Sequence, residues 1–132
     1  MNVFTYGSLM FPEVWRRVVR GDYRSGAGIV ADCRRYAIER ETYPGMVREA
    51  GAGVVGIVYF DVAADDLAAL DVFEGADYRR ETVAVRLENG AIVPAETYFY
   101  LATARLLDTP WDPDAFQMQR FLDTYCRNRF GD

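Results

Sequence analysis

At 132 residues and 51% hydrophobic content the chain predicts one domain with a real core, and the absence of His and Lys excludes Ser-His-Asp and Cys-His nucleophile systems, Schiff-base chemistry, the P-loop lysine and every His-based metal site. A net charge of −5, with all 15 basic residues scattered Arg, argues against a nucleic-acid partner. No apolar run reaches the roughly 18 residues of a membrane span, and the N-terminus carries no charged-then-apolar leader, so the expectation is a soluble, cytoplasmic protein without a membrane partner.

Val3 to Tyr6 is a β-branched and aromatic run and reads as a strand. Gly7 breaks it, and Pro12 stands where a first helical turn begins. Gly7-Ser8-Leu9 is therefore a strand-to-helix turn, whose backbone N–H groups lack ladder partners and suit a carboxylate or a developing oxyanion. The helix is expected from Pro12 to about Arg20, with Val14, Trp15, Val18 and Val19 as its apolar stripe. Tyr23 to Ala31 predicts a strand bent by small residues, and Arg34 to Arg40 a second short strand. Tyr43-Pro44-Gly45 is a turn signal, with a brief strand at Met46-Val47 behind it. The specificity walls of any site are expected in loops such as Glu41 to Gly53.

Gly51-Ala52-Gly53-Val54-Val55-Gly56 fits the spacing of the dinucleotide fingerprint, but here the strand, Val54 to Phe60, follows the glycines instead of preceding them. A turn and a close-packed strand start explain these glycines better. Asp61 is the expected cap of a helix from about Val62 to Phe73, with Leu67, Leu70 and Phe73 on one face and Gly75 as its stop. Arg80 to Leu87 and Ala91 to Leu101 are strands joined by the hairpin signal Glu88-Asn89-Gly90, with Pro94 marking a bulge or an edge. Asp112 and Pro113 are expected to start a last helix, with Phe116, Phe121, Leu122 and Tyr125 facing inward. The pattern is α+β: a curved, mostly antiparallel sheet or small barrel with helices packed on it.

Ser8 and Ser25 are the only serines, and neither has a His base. Cys33 and Cys126 form no CxxC pair and read as buried thiols. Proton transfer in an enzyme built from this chain must use Asp, Glu, Tyr or Cys. Glu74 is the residue out of place. A carboxylate in the last turn of a helix faces the negative end of the dipole, at a cost of up to about 1 kcal/mol. That field, and partial burial beside Phe73 and Tyr78, would raise its pKa toward the range of a general acid/base. The plainer reading is an exposed Glu that tolerates its position.

Phe4-Thr5-Tyr6-Gly7-Ser8-Leu9 and Asp71-Val72-Phe73-Glu74-Gly75-Ala76-Asp77-Tyr78-Arg79-Arg80 together resemble the gamma-glutamylcyclotransferase-like family, in its branch of short bacterial and plant members. Both the YGSL and the DxFEG patterns stand without substitution, and length and spacing extend the resemblance to nearly the whole chain, 1–132, as one domain. It implies a small, mixed, mostly antiparallel β-barrel with flanking helices and a cavity at one end. YGSL would line the cavity and the Glu of DxFEG would project into it. In family members that are enzymes, the α-amino group of a gamma-glutamyl substrate attacks its own γ-carbonyl. 5-Oxoproline forms and the amine leaves.

Carried onto this chain, the resemblance makes Glu74 the catalytic acid/base and Tyr6, Gly7, Ser8, Leu9 and Tyr78 the substrate-binding residues. Tyr43 and Tyr100 would also reach the cavity, in mainly structural roles. Asp71 reads as a structural carboxylate, and Arg80 as the partner of an acid on its own sheet face. No metal or organic cofactor is implied, and the partner is a small gamma-glutamyl compound whose amine half stays open. The competing function is a non-catalytic module that holds a small carboxylate-bearing metabolite in the same cavity. Glu74 favours chemistry, because a second negative group gains nothing for a carboxylate binder.

Overall fold

Two side-chain populations alternate along the strands and so divide the core in two. A computed structural model describes residues 1–127; residues 128–132 of the expected domain lie outside the described residues. The strands are β1 (Val3–Thr5), β2 (Ser25–Ile38), β3 (Pro44–Tyr59), β4 (Tyr78–Leu87), β5 (Ile92–Tyr100) and β6 (Leu106–Pro110). Hydrogen-bonded neighbours run β3-β1-β5-β4-β2, and β2 pairs back onto β3, so five strands close a barrel while β6 adds to β2 outside it. Only β1 and β5 run parallel, with Val3 opposite Glu96; the other pairs are antiparallel. The fold is the mixed, mostly antiparallel barrel with flanking helices expected from the sequence.

Phe4, Val30, Cys33, Met46, Val54, Val58, Val83, Val85, Ala95 and Phe99 come from all five barrel strands and fill the interior. Their neighbours in sequence point the other way, as a period of two requires. Val3, Tyr59 and Tyr98 join a second cluster with the helices α1 (Pro12–Val18), α2 (Ala64–Glu74) and α3 (Met118–Phe121). Val14, Trp15 and Val18 of α1 and Leu67, Leu70 and Phe73 of α2 are buried, which are the stripes read from the spacing. Trp15 stacks on Tyr59 with ring centroids 3.7 Å apart, fixing α1 to the outside of β3. Cys33 and Cys126 are both buried free thiols, one in each cluster.

Several boundaries differ from the expectation. The two strands read at 23–31 and 34–40 are one strand, β2, bent by a bulge between Ala31 and Cys33. Asp32 takes a left-handed backbone there (φ 58°), and its carboxylate accepts from the Gly51 amide of the facing strand. The stretch 41–53, expected as loop, is mostly the first half of β3, and Tyr43-Pro44-Gly45 leads into that strand instead of turning. Pairing with β2 along nearly its whole length overrides the local Pro-Gly signal. The six-residue glycine run lies across the middle of this strand. At Gly56 a Cβ would sit 2.1 Å from the Thr5 carbonyl oxygen, so the glycine is there for close strand approach.

Asp61 does not cap α2. It adopts a left-handed turn (φ 56°), its amide donates to Asn2, and Ala63 takes the cap position without a side-chain hydrogen bond. Asp112 does accept from the Asp114 amide with Pro113 behind it, but the helix it starts is a single 3₁₀ turn, Pro113–Ala115. The chain becomes α-helical only at Met118 and passes into π-type turns at Leu122–Cys126. The hairpin at Glu88–Gly90 forms as expected, with Gly90 at φ 86°. Pro94 pairs with Ala84 of β4, and its carbonyl accepts from the Asn2 side chain, just before the start of β1. Among the described residues no helix is long and apolar enough to cross a membrane.

Candidate functional site

One end of the barrel opens where β1 leaves the sheet, β3 and β4 begin, and α2 ends. A narrow cavity of about 30 Å³ lies there. Tyr6, Gly7, Ser8, Leu9, Glu74 and Tyr78, the six residues singled out in the sequence, all line it. Chain order keeps them in two groups, and barrel closure brings the groups face to face.

The first wall follows from β1. Gly7 leads into a 3₁₀ turn, Ser8–Met10, closed by the Met10 amide donating to Gly7 and the Phe11 amide donating to Ser8. The amides of Ser8 and Leu9 are the first of that turn and have no carbonyl within it to bond. They belong to this turn and not to α1, so the helix end invoked from the sequence lies one turn further on. Gly7 is required by packing: a Cβ would stand 2.8 Å from Cδ of Pro44. Arg35 holds the wall from behind, its Nη1 donating to the Tyr6 carbonyl at 2.6 Å while its guanidinium lies over the Trp111 ring.

The second wall is the end of α2. Gly75 at φ 80° stops the helix after Glu74, a backbone geometry that L side chains rarely adopt. The last carbonyls of a helix have no internal donors. Tyr125 supplies one from outside, its hydroxyl donating to the Phe73 carbonyl at 2.5 Å with the Glu74 carbonyl 3.2 Å away. Asp71, one turn back, accepts the Tyr98 hydroxyl at 2.7 Å and pairs with Arg80 at 3.0 Å. Arg80 also pairs with Glu96 on the neighbouring strand at 2.9 Å. Asp71 and Arg80 are thus tied into one network that holds the helix end, while Glu74 itself is half-buried at the cavity.

The tyrosine hydroxyls are turned to backbone carbonyls. Tyr6 donates to Tyr98 at 2.6 Å and Tyr78 to Pro44 at 2.8 Å. Tyr78, assigned to the substrate by the resemblance, donates its hydroxyl to the start of β3. Burial pushes the Tyr6 phenol well above its ordinary range, and the charge of Glu74 pushes the same way. Burial does the same for Tyr78, reinforced by the Tyr6 and Glu74 charges. Glu74 lines the same cavity as the two rings.

Tyr43 lines the cavity, whereas Tyr100 is not part of its wall and instead meets the edge of the Tyr78 ring at 5.2 Å between centroids. Tyr98, Phe121 and Tyr125 complete the wall without having been assigned to it from sequence. Phe121 and Tyr125 carried only the helical spacing of a core face, and Tyr98 only strand alternation, so nothing local distinguished a cavity wall from a core.

The family model described as "Gamma-glutamyl cyclotransferase, AIG2-like" matches residues 3–114. AIG2-like protein D of Arabidopsis thaliana is 32% identical over 100 residues, covering 76% of this chain and 66% of that relative, just under two thirds of its length. A solution structure of another Arabidopsis thaliana protein superposes with a TM-score of 0.73 at 28% identity, covering 96% of this chain and 80% of that one. A structure described as a gamma-glutamyl cyclotransferase shares the fold with a TM-score of 0.64 at 19% identity, over 75% of this chain and 65% of that one. With a cavity built from the two motif segments and a family match across most of its length, the chain belongs to the gamma-glutamyl cyclotransferase, AIG2-like family.

Proposed function

We propose that the cavity is the active site of a cyclotransferase that releases 5-oxoproline from a gamma-glutamyl amine or amino acid. The observation that carries this reading is that Glu74 and the Gly7-Ser8-Leu9 turn line one cavity. The substrate supplies its own nucleophile, so a chain without His or Lys is no obstacle.

In the proposed reaction the substrate's α-amine attacks its γ-carbonyl and a C–N bond closes the five-membered ring. Glu74 takes the proton from the attacking nitrogen as the tetrahedral centre forms, and the Ser8 and Leu9 amides face the oxygen that becomes negative. Glu74 then gives the proton to the leaving nitrogen, the original amide C–N bond breaks, and 5-oxoproline and the free amine result. Holding the two reacting groups in one bent conformation supplies much of the acceleration, up to roughly 7–11 kcal/mol in well-oriented cases. Tyr6 and Tyr78 act as walls, since their hydroxyls are engaged with backbone carbonyls.

The test is 5-oxoproline release from a panel of gamma-glutamyl compounds, with wild type beside Glu74→Gln. Wild type is expected to turn over at least one compound, and the variant to lose about 10²–10⁴ in rate. Equal turnover by both proteins would remove Glu74 from the mechanism. Tight binding of 5-oxoproline with no turnover of any compound would favour the non-catalytic binding module.

A further inference from the structure

Beside the Glu74 cavity lies a second, more polar one at the surface, walled by Arg40, Glu41, Arg120 and Thr124. Tyr43 and Tyr125 line both cavities, so the two share a partition. Tyr125 is also the residue whose hydroxyl reaches the carbonyls ending α2, so this partition is tied to the helix end that carries Glu74.

Two features single out its charged groups. Arg40 has a left-handed backbone (φ 67°). The other described non-glycine residues in that region are Asp32 and Asp61, short polar residues that reach it at small cost. A long cationic residue has no such reason to be there, and strain of this kind concentrates at functional sites. Arg120 Nη2 donates to the Arg40 backbone carbonyl at 3.4 Å, which ties α3 to the turn before β3 at this cavity. Among the described residues the one carboxylate lining this cavity is Glu41. It accepts the Tyr43 hydroxyl, and Arg40 and Arg120 are the cations lining this cavity. Glu39 stands 3.7 Å from Arg40, but both side chains are largely exposed and such a pair is weak.

We infer that this second cavity is the subsite for the leaving half of the substrate, and that Arg40 and Arg120 select leaving amines bearing an anionic group. The inference rests on the cyclotransferase reading of the Glu74 cavity. An amino acid released from a gamma-glutamyl linkage carries its carboxylate close to the scissile nitrogen, within reach of groups just past the Tyr43–Tyr125 partition. Guanidinium groups suit that ligand, because their planar N–H forks match a carboxylate. An alkylamine leaving group would gain nothing from them.

The test compares kcat/KM for a gamma-glutamyl amino acid and a gamma-glutamyl alkylamide of similar size, in wild type, Arg120→Gln, Arg120→Glu and Arg40→Asn. Asn is chosen at position 40 because it tolerates the left-handed backbone, so that variant reports on the cation even if changes at Arg120 disturb α3. The preference for the amino-acid compound is expected to fall about fivefold in Arg120→Gln and Arg40→Asn, and further in Arg120→Glu. The change is expected in KM for the carboxylate-bearing compound, and added salt is expected to shrink the wild-type preference. An unchanged ratio in all three variants, with both compounds still cyclised, overturns the inference and leaves the cyclotransferase reading standing. Failure of wild type to release 5-oxoproline from either class overturns that reading and the inference with it.

Discussion

The hydroxyl of Tyr6 donates to the backbone carbonyl of Tyr98 at 2.6 Å, joining the first motif of the chain to β5 deep in the core. Tyr98 in turn donates to Asp71 at 2.7 Å, one turn before Glu74. The two walls of the cavity are thus tied by two hydrogen bonds through a single residue. Tyr6→Phe leaves the buried Tyr98 carbonyl without its donor, at an expected cost of about 1–3 kcal/mol. Denaturant titration of the variant against wild type measures it. A cost below about 0.5 kcal/mol would mean that the bond contributes nothing to holding the walls together.

Burial, with Glu74 adding to it, holds the Tyr6 and Tyr78 phenols well above the ordinary value of about 10. Both stay protonated through the neutral and mildly alkaline range, so no alkaline fall in kcat/KM below about pH 10 is expected from them. Stability follows the same sign. Because the folded-state pKa values are raised, the contribution is complete below about pH 10 and is lost as pH rises through the folded values. Urea midpoints between pH 8 and 11 should stay level and then drop, with a smaller drop in Tyr6→Phe. An alkaline activity limb near pH 9 that vanishes in Tyr78→Phe would contradict this.

Asp66 gives the opposite dependence. It is buried on the first turn of α2 and accepts from the Tyr23 hydroxyl at 2.5 Å and from the amides of Arg20 and Gly21 at 2.9 and 3.0 Å. Burial alone would raise its pKa, but these donors together outweigh it and hold the carboxyl below its usual value. The stabilisation is therefore complete above about pH 4 and is lost as pH falls through the lowered folded value. Asp66→Asn should cost about 1.5–3 kcal/mol at neutral pH. Melting temperatures of the two proteins should converge under acid; a constant gap down to pH 2 would show that the charge is not what matters.

Gly7→Ala tests the amide wall by pressing it against Pro44, which lines the same cavity. The new Cβ would meet Pro44 Cδ at 2.8 Å and Cγ at 2.9 Å, so the Ser8–Met10 turn or the start of β3 must move. Displacement of about 1 Å in a positioning group can cost about 10²-fold in rate. The expected outcome is a fall in kcat of that order in a protein that still unfolds cooperatively. Full activity in a well-folded Gly7→Ala would separate the turn from the chemistry.

Much of the fold and the two halves of the candidate site were legible because they are local. Periodicity placed the inward faces of α1 and α2, Gly75 marked the end of α2, and Glu88-Asn89-Gly90 marked the hairpin. The unbroken length of β2 and β3 was not legible. A bulge at Asp32 and a Pro-Gly pair at 44–45 look like breaks until a partner strand pairs across them.

By itself the sequence determined the chemistry on offer: no His and no Lys, a carboxylate at a helix end, and a glycine turn after a strand. Only the tertiary structure decided that these meet. Closing β2 onto β3 brings the start of β3, the turn after β1 and the end of α2 to one rim. It also decided that Tyr6 and Tyr78 spend their hydroxyls on backbone carbonyls and that Tyr98 and Tyr125 join the wall. Those contacts span 34 to 92 residues of chain between partners. Spacing within a helix or a strand carries no information over such separations, so barrel closure alone determines them.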